Sequence, residues 1–202
     1  MTGPVVAPVA WDPGRTADTA DRLMARVAAG DREAFAELVE THKDDLVAYL
    51  YRLSGHRQTA EDLAQETFLR LYRAAGRYRA RGMFRAYLYR IATHLVRSAE
   101  RRGRLLRFVP LAAASAARSP LPGPEVQAEK GQALSRVARA LADLPLKYRA
   151  PLVLRAVEGW SIEEIGQALS LPAGTVKSRI SRARRRLRER LENEADPGRE
   201  PR

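Results

Sequence analysis

Lys177, Ser178, Ser181, Arg182 and Arg185 stand at i, i+1, i+4, i+5 and i+8, the spacing of one helix face. Their ammonium, hydroxyl and guanidinium groups are hydrogen-bond donors suited to base edges and phosphate oxygens. A second set lies far upstream. Tyr78, Phe84, Tyr87 and Tyr89 are interleaved with Arg77, Arg79, Arg81, Arg85, Arg90 and Arg97. Aromatic faces stack on unpaired bases while arginines hold the backbone, which is how single strands are bound. One of Tyr87 and Tyr89 is expected to pack inward, and spacing does not decide which. The stretch from Gly76 to Met83 reads as a flexible basic loop that could receive a flipped base. A third set, Asp62, Gln65, Glu66 and Leu69, recurs at i, i+3, i+4 and i+7. It forms an acidic stripe with one apolar member, opposite Leu63, Phe68, Leu71 and Tyr72, and suits a protein partner.

The charge distribution agrees with two contacts on a polyanion. The 202 residues carry 36 Lys+Arg against 24 Asp+Glu, for a net charge of +12. Segment 76–107 holds +9 and segment 177–191 holds +7, so the remainder is slightly acidic. Separated basic blocks of this kind point to nucleic acid ahead of an acidic membrane surface. His42, His56 and His94 are scattered, and no glycine-rich phosphate loop is present, so no catalytic residue, metal or cofactor is expected. Cysteine is absent, which excludes disulfides and thiolate chemistry. No apolar run approaches the roughly 18 residues of a membrane span, and no secretory signal opens the chain. A cytoplasmic protein without membrane insertion is expected.

The elements that must position these sets all read as helix. Asp31 is a candidate N-cap for a segment with Phe35, Leu38, Leu46, Tyr49, Leu50 and Leu53 at helical spacing. Gln58 or Thr59 precedes a second helix, and a third runs from about Phe84 to Arg101. Ser161-Ile162-Glu163-Glu164 has the pattern of a capping box. The helix it opens closes near Leu169. A turn through Pro172 and Gly174 follows, and Thr175 is placed to cap a longer basic helix with Val176, Ile180, Ala183 and Leu187 inward. A short helix, a tight turn and a basic helix make a helix-turn-helix. The fold class is therefore all-α: two small helical modules, 21–104 and 129–192, joined by a Pro/Ala-rich linker at 105–128. Disordered tails are expected at 1–20 and 193–202.

These residues resemble a known family. Leu144-Pro145, Arg149, Gly159-Trp160-Ser161, Glu164-Ile165 and the run from Pro172 to Arg179 look like region four of the extracytoplasmic-function (ECF) sigma factors. Ala60 to Arg70 and Phe84 to Ala92 look like region two. The resemblance implies docking on core RNA polymerase through Asp62, Gln65, Glu66 and Leu69. It implies opening of the promoter minus-ten element by Arg77, Tyr78, Phe84, Arg85, Tyr87, Tyr89, Arg90, His94 and Arg97. Reading of the minus-thirty-five duplex would fall to Thr175, Lys177, Ser178, Arg179, Ser181, Arg182 and Arg185, and regulation to an anti-sigma factor. Tyr87 stands where the family usually has Trp, His94 where Asn is common, Ser98 where Asp is common and Gly166 where Ala is usual. A stand-alone helix-turn-helix regulator is the alternative, but it leaves the aromatic block and the acidic stripe without a task. A membrane-surface protein leaves the helix-turn-helix unexplained.

Overall fold

The computed structural model describes residues 13–79, 82–103 and 136–195. The N-terminal module is built from α1 (Pro13–Ala28), α2 (Arg32–Ser54), α3 (Arg57–Ala74), a 3₁₀ turn (Ala75–Arg77) and α4 (Phe84–Arg101). The C-terminal module contains α5 (136–142), α6 (Leu146–Ala156), α7 (Ile162–Leu169) and α8 (Ala173–Ala195). No strand occurs among the described residues. The expected linker lies outside them.

Local signals set most boundaries. Asp31 caps α2 by accepting the Ala34 amide at 3.0 Å and is also bound by Arg26 at 2.8 Å. The helix stops at Gly55, whose φ of 77° is the left-handed value that favours glycine. Ser161 accepts the Glu164 amide at 3.1 Å while Glu164 accepts the Ser161 amide at 2.7 Å, the reciprocal capping box over α7.

Four boundaries differ from expectation. α1 begins at Pro13, inside the stretch expected to be disordered, with proline at the first helical position where it costs no hydrogen bond. α3 begins at Arg57, one residue ahead of Gln58 and without a side-chain cap. α8 begins at Ala173, so Thr175 sits in its first turn and does not cap it; the Pro172 carbonyl accepts the Val176 amide at 3.0 Å instead. α8 also continues to Ala195, past the expected end of the module.

The N-terminal core interleaves Leu38, Leu46, Tyr49, Leu50 and Leu53 of α2 with Leu63, Phe68 and Leu71 of α3. Leu88, Ala92, Leu95 and Val96 of α4 complete it, with Leu23, Met24 and Val27 of α1. Tyr49 and Thr93 satisfy each other's hydroxyls at 2.8 Å. His42 is buried against Phe84, ring centroids 5.1 Å apart. Burial pushes its imidazole down from 6.5 to about 4, with Arg85 adding to the shift and Asp45 opposing it.

The unfolded chain therefore binds a proton near pH 6.5 that the folded chain refuses until about pH 4. The stability tied to this neutral histidine is fully present above the unfolded value. It is lost as pH falls, by up to about 3 kcal/mol near pH 4. Urea unfolding at pH 7 and pH 5 should show His42→Leu losing less stability than the parent over that interval. Equal losses in both proteins would assign the effect to other groups.

The two modules are not separate bodies. α7 lies along α4, and α6 reaches α2. Trp160, in the connection between α6 and α7, is 2% exposed and packs on Tyr89 with ring centroids 4.9 Å apart. The Arg85 guanidinium lies over the indole at 4.7 Å. Beside it Glu158 meets Arg52 at 3.1 Å and Arg85 at 3.8 Å. Burial pushes the Glu158 carboxyl up, and the two arginines pull it back. Buried Arg149 donates to Glu100 at 2.7 Å and to the Ala142 carbonyl at 2.6 Å. Arg90 donates to the Gln167 carbonyl at 3.3 Å.

Candidate nucleic-acid and polymerase interfaces

The helix-turn-helix is held by a close backbone approach. The Leu171 amide bonds the Gly166 carbonyl at 2.8 Å, and Ser170 turns the chain at a φ of 55°. A Cβ on Gly166 would lie 2.8 Å from the Leu171 carbonyl oxygen. Glycine here thus permits a turn tighter than a side chain allows, which accounts for the departure noted at this position.

Val176, Ile180 and Ala183 are buried under α8, and Leu187 packs beside them. The opposite face presents Lys177, Ser178, Ser181, Arg182 and Arg185 to solvent. Thr175 and Arg179 are half-buried at its edge, with the Ser178 hydroxyl donating to the Thr175 carbonyl at 3.0 Å. Arg185 makes an exposed ion pair with Glu189 at 3.7 Å. Arg155 of α6, Arg184 and Arg188 line a basic groove with Lys177, Ser181 and Arg185. These three arginines were missed. Arg184 and Arg188 continue the helical spacing of Lys177 and Ser181, but Arg155 is brought there only by tertiary packing.

The aromatic block divides. Tyr89 is 1% exposed between Tyr49 and Trp160, which answers which of the two tyrosines packs inward. Phe84 is equally buried, against His42 and Tyr78. The expectation that Phe84 and Tyr89 stack on DNA is therefore corrected: both rings fill the core. Arg85 is corrected too, because in this arrangement it serves the seam with Glu158 and Trp160. What remains on the surface of α4 is Tyr87, Arg90, His94 and Arg97, at spacings of three, four and three, with Tyr87 half-buried and the others exposed. Exposed Arg77 and half-buried Tyr78 stand on the connection leading into that helix. Of the expected flexible loop, residues 80 and 81 lie outside the described residues; the Tyr78 hydroxyl and the Gly82 amide both bond to Asp21 of α1.

On α3, Asp62, Gln65 and Leu69 are exposed, and Glu66 is half-buried in a 2.7 Å pair with Arg70. Leu69 is 48% exposed. Tyr72, read as inward, is corrected: it lies at the surface, edge-on to Phe35 with centroids 4.9 Å apart. It extends the acidic stripe by one more apolar member.

Among the described residues no cluster of His, Asp and Glu could hold a metal ion, and no helix is long and apolar enough to cross a membrane. A two-module helical protein with a capped helix-turn-helix and a basic recognition face is a DNA-binding transcription protein by its architecture. Comparison with known proteins narrows the class. Residues 38–105 match Sigma-70 region 2, and residues 134–187 match Sigma-70, region 4. The chain belongs to the ECF group of the sigma-70 family of RNA polymerase sigma factors.

It is 40% identical to the ECF RNA polymerase sigma factor SigE of Mycolicibacterium smegmatis over 81% of this chain, which spans 65% of that relative's length. It is 33% identical to SigW of Bacillus subtilis, over 82% of this chain and 93% of that one. Among solved structures, CnrH in complex with the cytosolic domain of CnrY is 28% identical with a TM-score of 0.66, covering 89% of this chain and 99% of that one. RpoE from Bartonella quintana, solved with the anti-sigma factor NepR, is 27% identical with a TM-score of 0.62, covering 78% and 96%. The matches span both modules, and none favours the stand-alone regulator.

Proposed function

We propose that this sigma factor divides its work among the three faces just described. Asp62, Gln65, Glu66 and Leu69, with Tyr72, dock α3 on core polymerase. The α4 row of Tyr87, Arg90, His94 and Arg97, with Arg77 and Tyr78, holds the opened minus-ten element. The α8 face of Lys177, Ser178, Ser181, Arg182 and Arg185, flanked by Thr175 and Arg179, reads the minus-thirty-five duplex. The linker at 105–128 joins the two DNA contacts. The polymerase carries out the chemistry, in the cytoplasm, and this chain is not itself an enzyme. An anti-sigma factor is its regulator, as NepR is bound to the relative from Bartonella quintana.

The observation that supports this division best is the exposed donor face of α8 behind a doubly bonded capping box. Run-off transcription with purified core polymerase on genomic fragments tests it. Discrete transcripts requiring both components are expected, and the start sites give both promoter elements. At such a promoter Arg182→Ala should weaken discrimination at one minus-thirty-five base pair by about 1–3 kcal/mol. An equal loss on every sequence, with a shallower salt dependence, would make Arg182 a phosphate contact instead.

A further inference from the structure

One carboxylate outside the three faces is bound by the loop that leads into α4. Asp21 lies on the inner face of α1 and is 7% exposed, among Ala20, Leu23 and Met24. Its Oδ1 accepts the Tyr78 hydroxyl at 2.5 Å, and its Oδ2 accepts the Gly82 amide at 2.7 Å. A carboxylate buried on an apolar face is costly unless its oxygens are matched by donors. Here both oxygens receive donors, and both donors come from residues far along the chain, 57 and 61 positions on.

The two donors stand at the two ends of the basic connection between the 3₁₀ turn and α4. Gly82 has a φ of +68°, the left-handed backbone that sets this corner. Tyr78 is held from its other side by ring contacts with Tyr87 at 5.3 Å and Phe84 at 6.3 Å. A single side chain on α1 thus ties Tyr78 to the Gly82 backbone beside the exposed α4 row.

We propose that Asp21 is a positioning residue for promoter opening: it holds Tyr78 and the Gly82 backbone in the shape that receives an unpaired minus-ten base. The proposal rests on the reading of the α4 row as the single-strand contact. Asp21 does not touch DNA, since a carboxylate would repel phosphate; it acts from behind Tyr78. Burial pushes the Tyr78 phenol up, and the Asp21 hydrogen bond and charge push it further, so the hydroxyl keeps its proton and donates throughout the neutral range.

The test uses holoenzyme reconstituted from the full chain and core polymerase. It is incubated with a pool of 12-nucleotide single DNA strands randomised at the central positions, and the bound fraction is sequenced. The parent should enrich a minus-ten sequence over core alone. Asp21→Asn is isosteric but presents an amide N–H₂ to one of the two donors. It should lose base preference at one position at least fivefold, with core association and the other positions unchanged. Tyr78→Phe removes only the hydroxyl and decides the matter if Asp21→Asn does not fold; it should flatten the same position, and the double variant should lose no more than either single. Unchanged enrichment in both variants would overturn the proposal. So would a uniform loss at all positions that tracks lost stability, because that is a structural role only. Parent holoenzyme that enriches nothing over core alone would overturn the single-strand reading itself, and the role of Asp21 with it.

Discussion

Asp62→Arg combined with Glu66→Arg is expected to abolish co-elution of this chain with core RNA polymerase while leaving its helix content unchanged. The two halves of that expectation have separate causes. Asp62 is exposed and accepts a hydrogen bond from the side-chain amide of Gln58 at 3.1 Å on the same helix. Glu66 pairs with Arg70 one turn on, a surface pair worth about 0.3–0.5 kcal/mol. Reversing both charges therefore removes little that folds α3, whose stability comes from Leu63, Phe68 and Leu71 on the buried side. A docking face responds differently. Central contacts commonly cost about 2–4 kcal/mol when removed, and reversal adds like-charge repulsion. A loss on the order of a hundredfold or more should follow. Leu69→Ala should weaken association without reversing any charge. Normal association of the double variant would move the polymerase contact off α3.

The second large effect lies in the seam. Trp160→Ala removes an indole enclosed by Tyr89 and Arg85, and truncations of buried Trp cost about 3–5 kcal/mol. The parent should unfold in one calorimetric transition, because the modules share this packing. The variant should unfold in two, at lower temperature for the module that loses more, and small-angle scattering should show a larger radius of gyration. Glu158→Gln should act in the same direction with less force, since burial already works against that carboxylate. A single transition at an unchanged temperature in Trp160→Ala would mean the seam does not hold the modules together.

Features written in a few adjacent residues are legible in the sequence. The cap at Asp31, the box at Ser161 and Glu164, and the buried stripe of Val176, Ile180 and Ala183 each depend on neighbours within a turn or two. So is the α8 donor face. The errors concern residues whose surroundings come from elsewhere in the chain. Tyr87 and Tyr89 differ by two positions on one helix, and it is Tyr49 of α2 together with Trp160 of the other module that covers Tyr89. Arg85 has the type and place of a DNA contact, yet its partner Glu158 is far along the sequence. Tyr72 matched an apolar face by spacing and lies at its rim, where Phe35 covers one edge. The start of α1 was hidden for another reason: Pro13 to Thr19 carry no apolar stripe from which a helical period could be read.

The engagement of Arg85 and Arg90 by the C-terminal module has a consequence for how the protein searches a genome. Two arginines suited to phosphate are spent on Glu158, Trp160 and the Gln167 carbonyl while the seam is closed. If closure is worth about 3 kcal/mol, roughly one chain in a hundred or two stands open, and apparent affinity for any ligand of the open form falls by the same factor. Chromosomal DNA, present in vast excess, then competes poorly for the unattached chain. A polymerase that bound the open form more tightly would raise that population, and promoter occupancy would then follow the number of assembled complexes and not the number of sigma chains.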